Sequence, residues 1–119
     1  IDKKIKFTPE NKEELTKVRV IFISSVMSSM ELCGKAGKSI YCGSKSALNH
    51  QAGRMSYYYP YLSIHVIHPG WVKTRLGGAN ASTTIEESAQ GILHTISQRA
   101  FVGDSMKHLL SFDNSVLHW

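Results

Sequence analysis

Apolar runs and stretches of helical periodicity alternate along the chain. The run "VRVIFISS", residues 18–25, is β-branched and aromatic with almost no polar interruption, which predicts a strand buried on both faces. The run "LSIHVIH", residues 62–68, predicts a second strand, and Pro69–Gly70 ends it sharply. A shorter third strand is predicted at "HLLSFD", residues 108–113, followed by a turn at Asn114 and Ser115.

Two helices are predicted between these strands. The first covers residues 41–58 and is closed by Pro60, and five residues at helical spacing predict its buried stripe: Ser44, Leu48, Ala52, Met55 and Tyr59. The second covers residues 84–98, where Thr84 and Glu87 have the spacing of a capping box that satisfies free backbone N–H groups. Its predicted apolar face consists of Ile85, Ala89, Ile92, Leu93 and Ile96.

The order strand, helix, strand, helix, strand predicts an α/β fold with a parallel sheet and right-handed crossovers. We place this domain at residues 18–119. Residues 1–17 are polar and lysine-rich, and Thr8 followed by Pro9 predicts a short helix there.

Composition and charge exclude several other classes of protein. Of the 119 residues, 42% are hydrophobic and 19% charged, which is typical of a globular domain, and no apolar run is long enough to span a membrane. The N-terminus lacks the apolar segment of a secretory signal, so we expect a cytoplasmic protein with Cys33 and Cys42 as free thiols. The six histidines do not form an HxxxH pair, and we expect no metal site. The net charge of +5 is spread along the chain, so we expect no nucleic-acid partner.

The stretch "GKAGKS" contains the glycines and lysines of a phosphate-binding loop, so we compare its spacing with that of a Walker loop. A Walker loop requires a glycine, four residues and then Gly-Lys-Ser/Thr. Here "GKS" begins at Gly37, and Leu32 occupies the position where the first glycine is needed. The spacing therefore excludes this reading.

Polar groups follow the predicted strands at one edge of the sheet. Ser24 and Ser25 come at the carboxyl end of the first strand, and "HPGWVKT" ends the second. Tyr41 and Lys45 are four residues apart on the intervening helix and share one face. A nearby ammonium favours the phenolate of a tyrosine, which brings proton transfer into a useful pH range. Because ligands of open α/β sheets bind at the carboxyl ends of the strands, these groups predict an acid-assisted carbonyl reduction.

The blocks "VIFISS", "YCGSKSALN" and "HPGWVKT", in this order and approximate spacing, resemble the short-chain dehydrogenase/reductase family. The branch of sniffer-like and C-factor-like carbonyl reductases is similar in "HPGWVKTRLGG", "TTIEESAQGI" and "LLSFDNSVLHW" as well. The resemblance covers residues 18–119. It implies the C-terminal strands and helices of a doubly wound Rossmann-like fold, NAD or NADP as cofactor with NADPH favoured, a small carbonyl or alcohol substrate, and a homodimer or tetramer.

The resemblance also implies roles for individual residues. Tyr41 would be the general acid and would also contact the cofactor, and Lys45 would assist it and hold the hydroxyls of the nicotinamide ribose. Ser25 would hydrogen-bond the substrate carbonyl, because it is the second serine after the strand. Ser28 is the rival, since it lies 13 residues before Tyr41, the commoner interval in the family. Asn49 is expected to pack or cap within its helix.

The Pro-Gly segment would hold the nicotinamide end of the cofactor. The resemblance assigns this binding to Pro69, Gly70, the backbone of Val72 and the hydroxyl of Thr74. Loop residues such as Met27 would shape the substrate pocket.

One departure from the family concerns the dinucleotide. No TGxxxGxG turn occurs in the 119 residues, so the half that binds the pyrophosphate is lacking. Two functions are therefore open. The first is an NAD(P)-dependent short-chain oxidoreductase, with the activity of this chain alone left open. The second is an inactive truncated homologue that acts as an interaction or dimerisation module through the face of "QAGRMSYYY". Because the first strand is too apolar for an open sheet edge, we expect the chain to be part of a longer protein or to fold with a partner.

Overall fold

The computed structural model describes residues 17–34 and 37–119, in which four strands form one sheet. The strands are β1 (Arg19–Ile23), β2 (Ser63–His68), β3 (Leu109–Ser111) and β4 (Val116–Leu117). They lie side by side in chain order, with β1, β2 and β3 parallel and β4 antiparallel to β3. The predicted α/β class with a partial Rossmann-like parallel sheet is confirmed.

The added strand β4 was not predicted. Asn114 has a positive φ of 68°, which turns the chain tightly between β3 and β4. Its carbonyl and side-chain oxygens both accept from Nε of Arg99, 2.8 Å away. The chain after β3 therefore folds back onto the sheet.

Two helices connect the parallel strands: α1 (Ser39–Tyr58) and α2 (Ile85–Arg99). The first begins two residues before the predicted start, and the second begins one residue after Thr84, which caps it. The side chain of Thr84 accepts from Glu87 N–H and that of Glu87 accepts from Thr84 N–H, so the predicted capping box is present. The helix expected at Thr8 lies outside the described residues, and the domain boundary at residue 18 stays a prediction.

The core lies on one face of β2. Ile64 and Val66 are fully buried and pack with Ala52 of α1 and with Leu109 of β3. Because side chains alternate along a strand, His65 and Ile67 point to the other face, where the chain that follows α2 contacts His65. The two helices therefore cover opposite faces of the sheet.

The outer strand β1 was predicted to be buried on both faces, and the structure contradicts this. Every residue of β2 except His68 is buried, whereas no residue of β1 is. Among the described residues β1 pairs only with β2, and Val18 and Ile23 are 43% and 46% exposed. In the described part of the chain β1 is an edge strand.

The predicted packing faces of both helices need correction. In α1, Ser44 is exposed rather than buried, and Asn49 joins Ala52 as a buried residue. In α2 the buried side chains are Ser88 and Thr95, while three members of the predicted face are exposed: Ile85, Ala89 and Leu93.

Small and hydroxyl-bearing residues determine how α2 packs. Ser88 donates to the Pro69 carbonyl oxygen at 2.7 Å, and Thr95 donates to that of Ser111 at 3.1 Å. At Gly91 a Cβ atom would lie 2.3 Å from the carbonyl oxygen of Phe112. The helix therefore approaches the backbone of the sheet too closely for larger apolar side chains on that line.

Within the described residues no helix has the length and apolar character that crossing a bilayer requires.

Candidate active site

The carboxyl ends of β1 and β2 meet at one edge of the sheet. Ile23 pairs with Ile67 in the parallel register, and the ladder continues one step beyond β1 through the bond from Ser24 N–H to the Ile67 carbonyl oxygen, 2.8 Å long. Ser25 follows directly after this last bond, and Pro69 follows directly after β2. The two predicted polar segments are therefore neighbours.

Ser25 lies at the start of a short 3₁₀ turn, Val26–Ser28. Its side-chain oxygen accepts the N–H of Met27 at 3.1 Å, and the residue is 6% exposed. In the described part of the chain the hydroxyl of Ser25 donates to no protein acceptor. Its proton is therefore available to another acceptor at this edge.

Ser28, the rival for the same role, has a different environment. Its hydroxyl donates to the Ser25 carbonyl oxygen at 2.5 Å and accepts from Nδ2 of Asn49 at 2.7 Å. The proton of this hydroxyl is thus used within the protein, whereas the burial of the two serines is nearly the same.

Asn49 connects α1 to the serine turn. Its Oδ1 accepts from the hydroxyl of Ser24 at 2.6 Å while its Nδ2 donates to Ser28. The expectation that Asn49 packs or caps within its helix is right about burial, since the residue is 8% exposed, and wrong about capping. Its side chain instead bonds residues that lie 21 and 25 positions earlier in the chain.

Tyr41 and Lys45 lie together on α1 at the end of β1. Nζ of Lys45 is 5.9 Å from the centroid of the Tyr41 ring and donates to the Ile23 carbonyl oxygen at 3.1 Å. An ammonium has three donors, so further N–H groups of Lys45 stay available. Tyr41 is half-buried, and its hydroxyl makes no hydrogen bond within residues 17–34 and 37–119.

The segment after β2 begins with a tight glycine turn. Gly70 has a φ of +87°, and a Cβ atom there would lie 2.7 Å from the ring of Phe112 and 3.1 Å from Oγ1 of Thr83. Pro69 is fixed through its carbonyl oxygen, which accepts from Ser88. Glycine is therefore required by both the backbone conformation and the space.

Val72 and Thr74 follow in a second compact turn. Oγ1 of Thr74 accepts the N–H of Gly77 at 3.0 Å and lies 3.4 Å from the Val72 carbonyl oxygen. A parallel bridge pairs Val72 with Thr83, yet the Val72 N–H has no acceptor among the described residues. The backbone donor of Val72 is thus free, while the Thr74 hydroxyl also stabilises its own turn.

His68 also lies at this edge. The sequence predicts only that it ends a strand and indicates no role for it in the site. Its Nδ1 accepts the N–H of Val26 at 3.1 Å. Burial lowers the pKa of His68, and the charge of Asp113 acts in the opposite direction.

A cavity of about 200 Å³ lies away from this edge. It is lined in part by His65, Phe101, Asp104 and His108, and none of the predicted site residues lines it. The described residues contain no group of three His, Cys, Asp or Glu side chains placed to share a metal ion. Cys33 and Cys42 are free thiols, as expected.

The chain is similar to several known proteins over most of its length. No protein-family model matches the chain. It is 30% identical over 112 residues to "Short-chain dehydrogenase RED3" of Pyricularia oryzae, which covers 85% of this chain and 45% of the relative. The solved structure of "Carbonyl reductase Sniffer of D. melanogaster" superposes with a TM-score of 0.77 at 32% identity, covering 85% of this chain and 41% of that one.

A second solved structure, an NADPH-bound carbonyl reductase from chicken fatty liver, superposes with a TM-score of 0.76 at 31% identity and covers 85% of this chain and 42% of that one. The chain thus spans less than half the length of the relatives that it matches.

Proposed function

The chain is a homologue of the C-terminal part of short-chain dehydrogenases and carbonyl reductases, and from this premise we propose that it forms the catalytic part of an NAD(P)-dependent carbonyl/alcohol oxidoreductase. The observation that carries the proposal is the tie between Lys45 and Ile23, because it brings the Tyr41/Lys45 face of α1 to the strand end that leads into Ser25. A homologous structure bound to NADPH favours NADPH as the cofactor.

The available donors at this edge fit the nicotinamide end of such a cofactor. The free N–H groups of Lys45 would hold the ribose hydroxyls, and the Val72 N–H and the Thr74 hydroxyl would hold the carboxamide. Pro69 and Gly70 would line this site through their backbone, since Gly70 packs closely against Phe112 and Thr83. The cofactor, when bound, supplies the hydride that reduces the substrate carbonyl carbon.

The chain's own residues would supply the proton. Ser25 would donate its free hydroxyl proton in a hydrogen bond to the substrate carbonyl oxygen, fixing its position. Tyr41 would transfer its phenolic proton to that oxygen as the negative charge develops. Lys45 would stabilise the phenolate that is left behind. The substrate would be a small carbonyl or alcohol, reached past loop residues such as the exposed Met30.

The missing TGxxxGxG turn bears on cofactor affinity. In Rossmann folds this turn and its helix N-terminus receive the pyrophosphate. We therefore infer that the 119 residues alone bind NADPH weakly. Turnover would then require a longer protein of which this chain is the C-terminal part, and we call it the full-length protein. The edge position of β1 supports this, since an apolar, half-exposed edge strand pairs readily with further strands.

Two assays test this proposal. In the first, the full-length protein is mixed with NADPH and a panel of aldehydes and ketones, and carbonyl-dependent oxidation of NADPH is expected. In the second, NADPH fluorescence is titrated with the isolated 119-residue chain. If no carbonyl is reduced, the proposed oxidoreductase activity is contradicted. Micromolar binding of NADPH by the isolated chain would contradict the inference that the 119 residues alone bind the cofactor weakly.

A second candidate function, a dimerisation module, is favoured by the aromatic surface at the end of α1. Tyr57 and Tyr58 are 81% and 60% exposed, and Arg54 donates to the Tyr58 hydroxyl at 2.9 Å. We propose a second copy of the chain as the occupant of this face, because exposed aromatic and arginine side chains are enriched at protein interfaces. Light scattering of the wild type and of Tyr57→Ser decides: a dimer that dissociates in the variant supports the module, and an unchanged mass opposes it.

A further inference from the structure

One side-chain hydrogen bond connects the two loops of the proposed active site. The N–H of Val26, directly after Ser25, donates to Nδ1 of His68, directly before Pro69, over 3.1 Å. The backbone ladder between β1 and β2 ends with the bond from Ser24 to Ile67. The imidazole of His68 thus forms the next hydrogen bond between the segments that follow β1 and end β2.

The bond fixes the protonation state of the imidazole. A backbone N–H only donates, so Nδ1 must present its lone pair and the neutral ring carries its proton on Nε2. Burial lowers the pKa of His68, which is consistent with a neutral ring, while Asp113 in the turn after β3 acts in the opposite direction. The serine turn carries no titratable side chain, and α1 brings Tyr41 and Lys45 to this edge.

The main chain of His68 is itself held in place. Its carbonyl oxygen accepts the N–H of Phe112 at 3.0 Å, and the ring of Phe112 packs against Gly70. The imidazole therefore extends from a fixed point of the sheet. On the other side, the serine turn is held by Asn49 and by the bond from the Ser46 hydroxyl to the Ser28 carbonyl oxygen, 3.0 Å long.

We propose that His68 is a positioning residue that holds the Ser25 turn against the Pro69–Gly70 turn through its neutral imidazole. This inference rests on the proposed function, in which Ser25 contacts the substrate and the Pro-Gly segment contacts the cofactor. A protonated ring has no lone pair on Nδ1 and cannot accept from Val26, so protonation releases the serine turn. The serine would then lose its alignment, and turnover would fall in acid without a loss of cofactor affinity.

Two variants separate positioning from a merely structural role. His68→Asn keeps an acceptor oxygen close to the place of Nδ1 but does not titrate, whereas His68→Leu keeps bulk and removes the acceptor. We expect His68→Leu to lower kcat about fivefold, the value of one ordinary hydrogen bond, with the KM for NADPH unchanged. We expect His68→Asn to keep most of the activity and to lose the fall in kcat on the acidic side that the wild type shows.

A readout that needs no turnover is the hydrogen-exchange protection factor of the Val26 amide, measured by NMR on the full-length protein. It should decrease in the wild type as the pH is lowered, be low at every pH in His68→Leu, and be independent of pH in His68→Asn. Equal protection in all three proteins, or the same acidic fall in wild type and His68→Asn, would overturn the inference. If the wild type shows no turnover, the proposed function fails while the Val26 measurement still decides the role of His68. Should His68→Leu not fold, the comparison of wild type with His68→Asn decides.

Discussion

Nζ of Lys45 lies 3.1 Å from the carbonyl oxygen of Ile23, the last residue of β1. This bond connects the N-terminal half of α1 to the strand end that leads into the serine turn. The Tyr41/Lys45 face of the helix therefore lies at the strand end that leads into Ser25.

Replacing Lys45 tests its chemical role separately from its packing. Lys45→Met keeps the aliphatic stem and removes the ammonium, and we expect a loss of turnover of at least about 100-fold, since general acid catalysis contributes on that scale. The free energy of unfolding should change by less than about 1 kcal/mol, because a single partly exposed hydrogen bond contributes little. Steady-state kinetics and urea unfolding of the full-length protein measure the two effects.

Lys38→Met is the matched control, because Lys38 is exposed and its side chain makes no capping bond at the start of α1. It should leave both quantities unchanged. A Lys45→Met protein with wild-type turnover would remove the lysine from the mechanism.

The two candidate serines should respond differently to alanine. Ser28→Ala leaves Nδ2 of Asn49 without its buried acceptor, and we expect it to lower the free energy of unfolding by about 1–3 kcal/mol. Ser25→Ala removes only one acceptor of a short turn, so its main effect should be on kcat. Denaturation and kinetics of both variants check this, and the reverse pattern would assign the substrate contact to Ser28.

Glycine positions in the two helices provide a packing test. Gly91→Ala places a Cβ atom 2.3 Å from the Phe112 carbonyl oxygen, and we expect a destabilisation of about 1–3 kcal/mol. Gly43→Ala in α1 meets no atom within 4 Å, so it should stabilise by about 0.5–1 kcal/mol through helix propensity. Urea unfolding measures both variants. Equal effects would contradict the close contact between α2 and the turn after β3.

The pH dependence of stability follows from two histidines of β2, the buried His65 and the half-buried His68. Burial lowers the pKa of His65 and His68 below the usual 6.5. The unfolded chain therefore binds more protons than the folded one below that pH, and the free energy of unfolding should decrease as the pH falls from about 7 toward 5. Hydrogen bonds from Ser115 lower the pKa of Asp113, so the contribution of this carboxylate to the free energy of unfolding is lost only in stronger acid.

Unfolding measured between pH 7.5 and 5 checks this prediction, with His68→Asn as the comparison, since it removes one of the two groups. A stability that stays constant over this range would show that neither imidazole is held neutral by the fold.

Much of the fold could be predicted because its signals are local. The apolar runs of β1 and β2 and the capping box at Thr84 depend on residues close in sequence, and the structure contains them. The order of motifs also predicted that Ser25 and the Pro-Gly segment would share an edge. The face of α2 was missed because Ser88 and Thr95 are polar, and only the three-dimensional structure shows which backbone carbonyls their hydroxyls reach.

The partners of Asn49 and His68 were missed for a related reason. Each bonds a residue of the serine turn that is 21 to 42 positions away in sequence. Asparagine and histidine have several bonding modes, so a local pattern does not select one. Here the close approach of α1 and β2 to the turn selects it.

The most direct measurement is the kcat of NADPH-dependent carbonyl reduction for wild type, Tyr41→Phe and the control Tyr57→Phe, whose ring is 81% exposed. Removal of the Tyr41 hydroxyl should lower kcat by about 100- to 10,000-fold, because the proton donor is lost, while NADPH affinity and stability stay close to wild type. Tyr57→Phe should be indistinguishable from wild type. A Tyr41→Phe enzyme with the kcat of the wild type would contradict the assignment of Tyr41 as the acid.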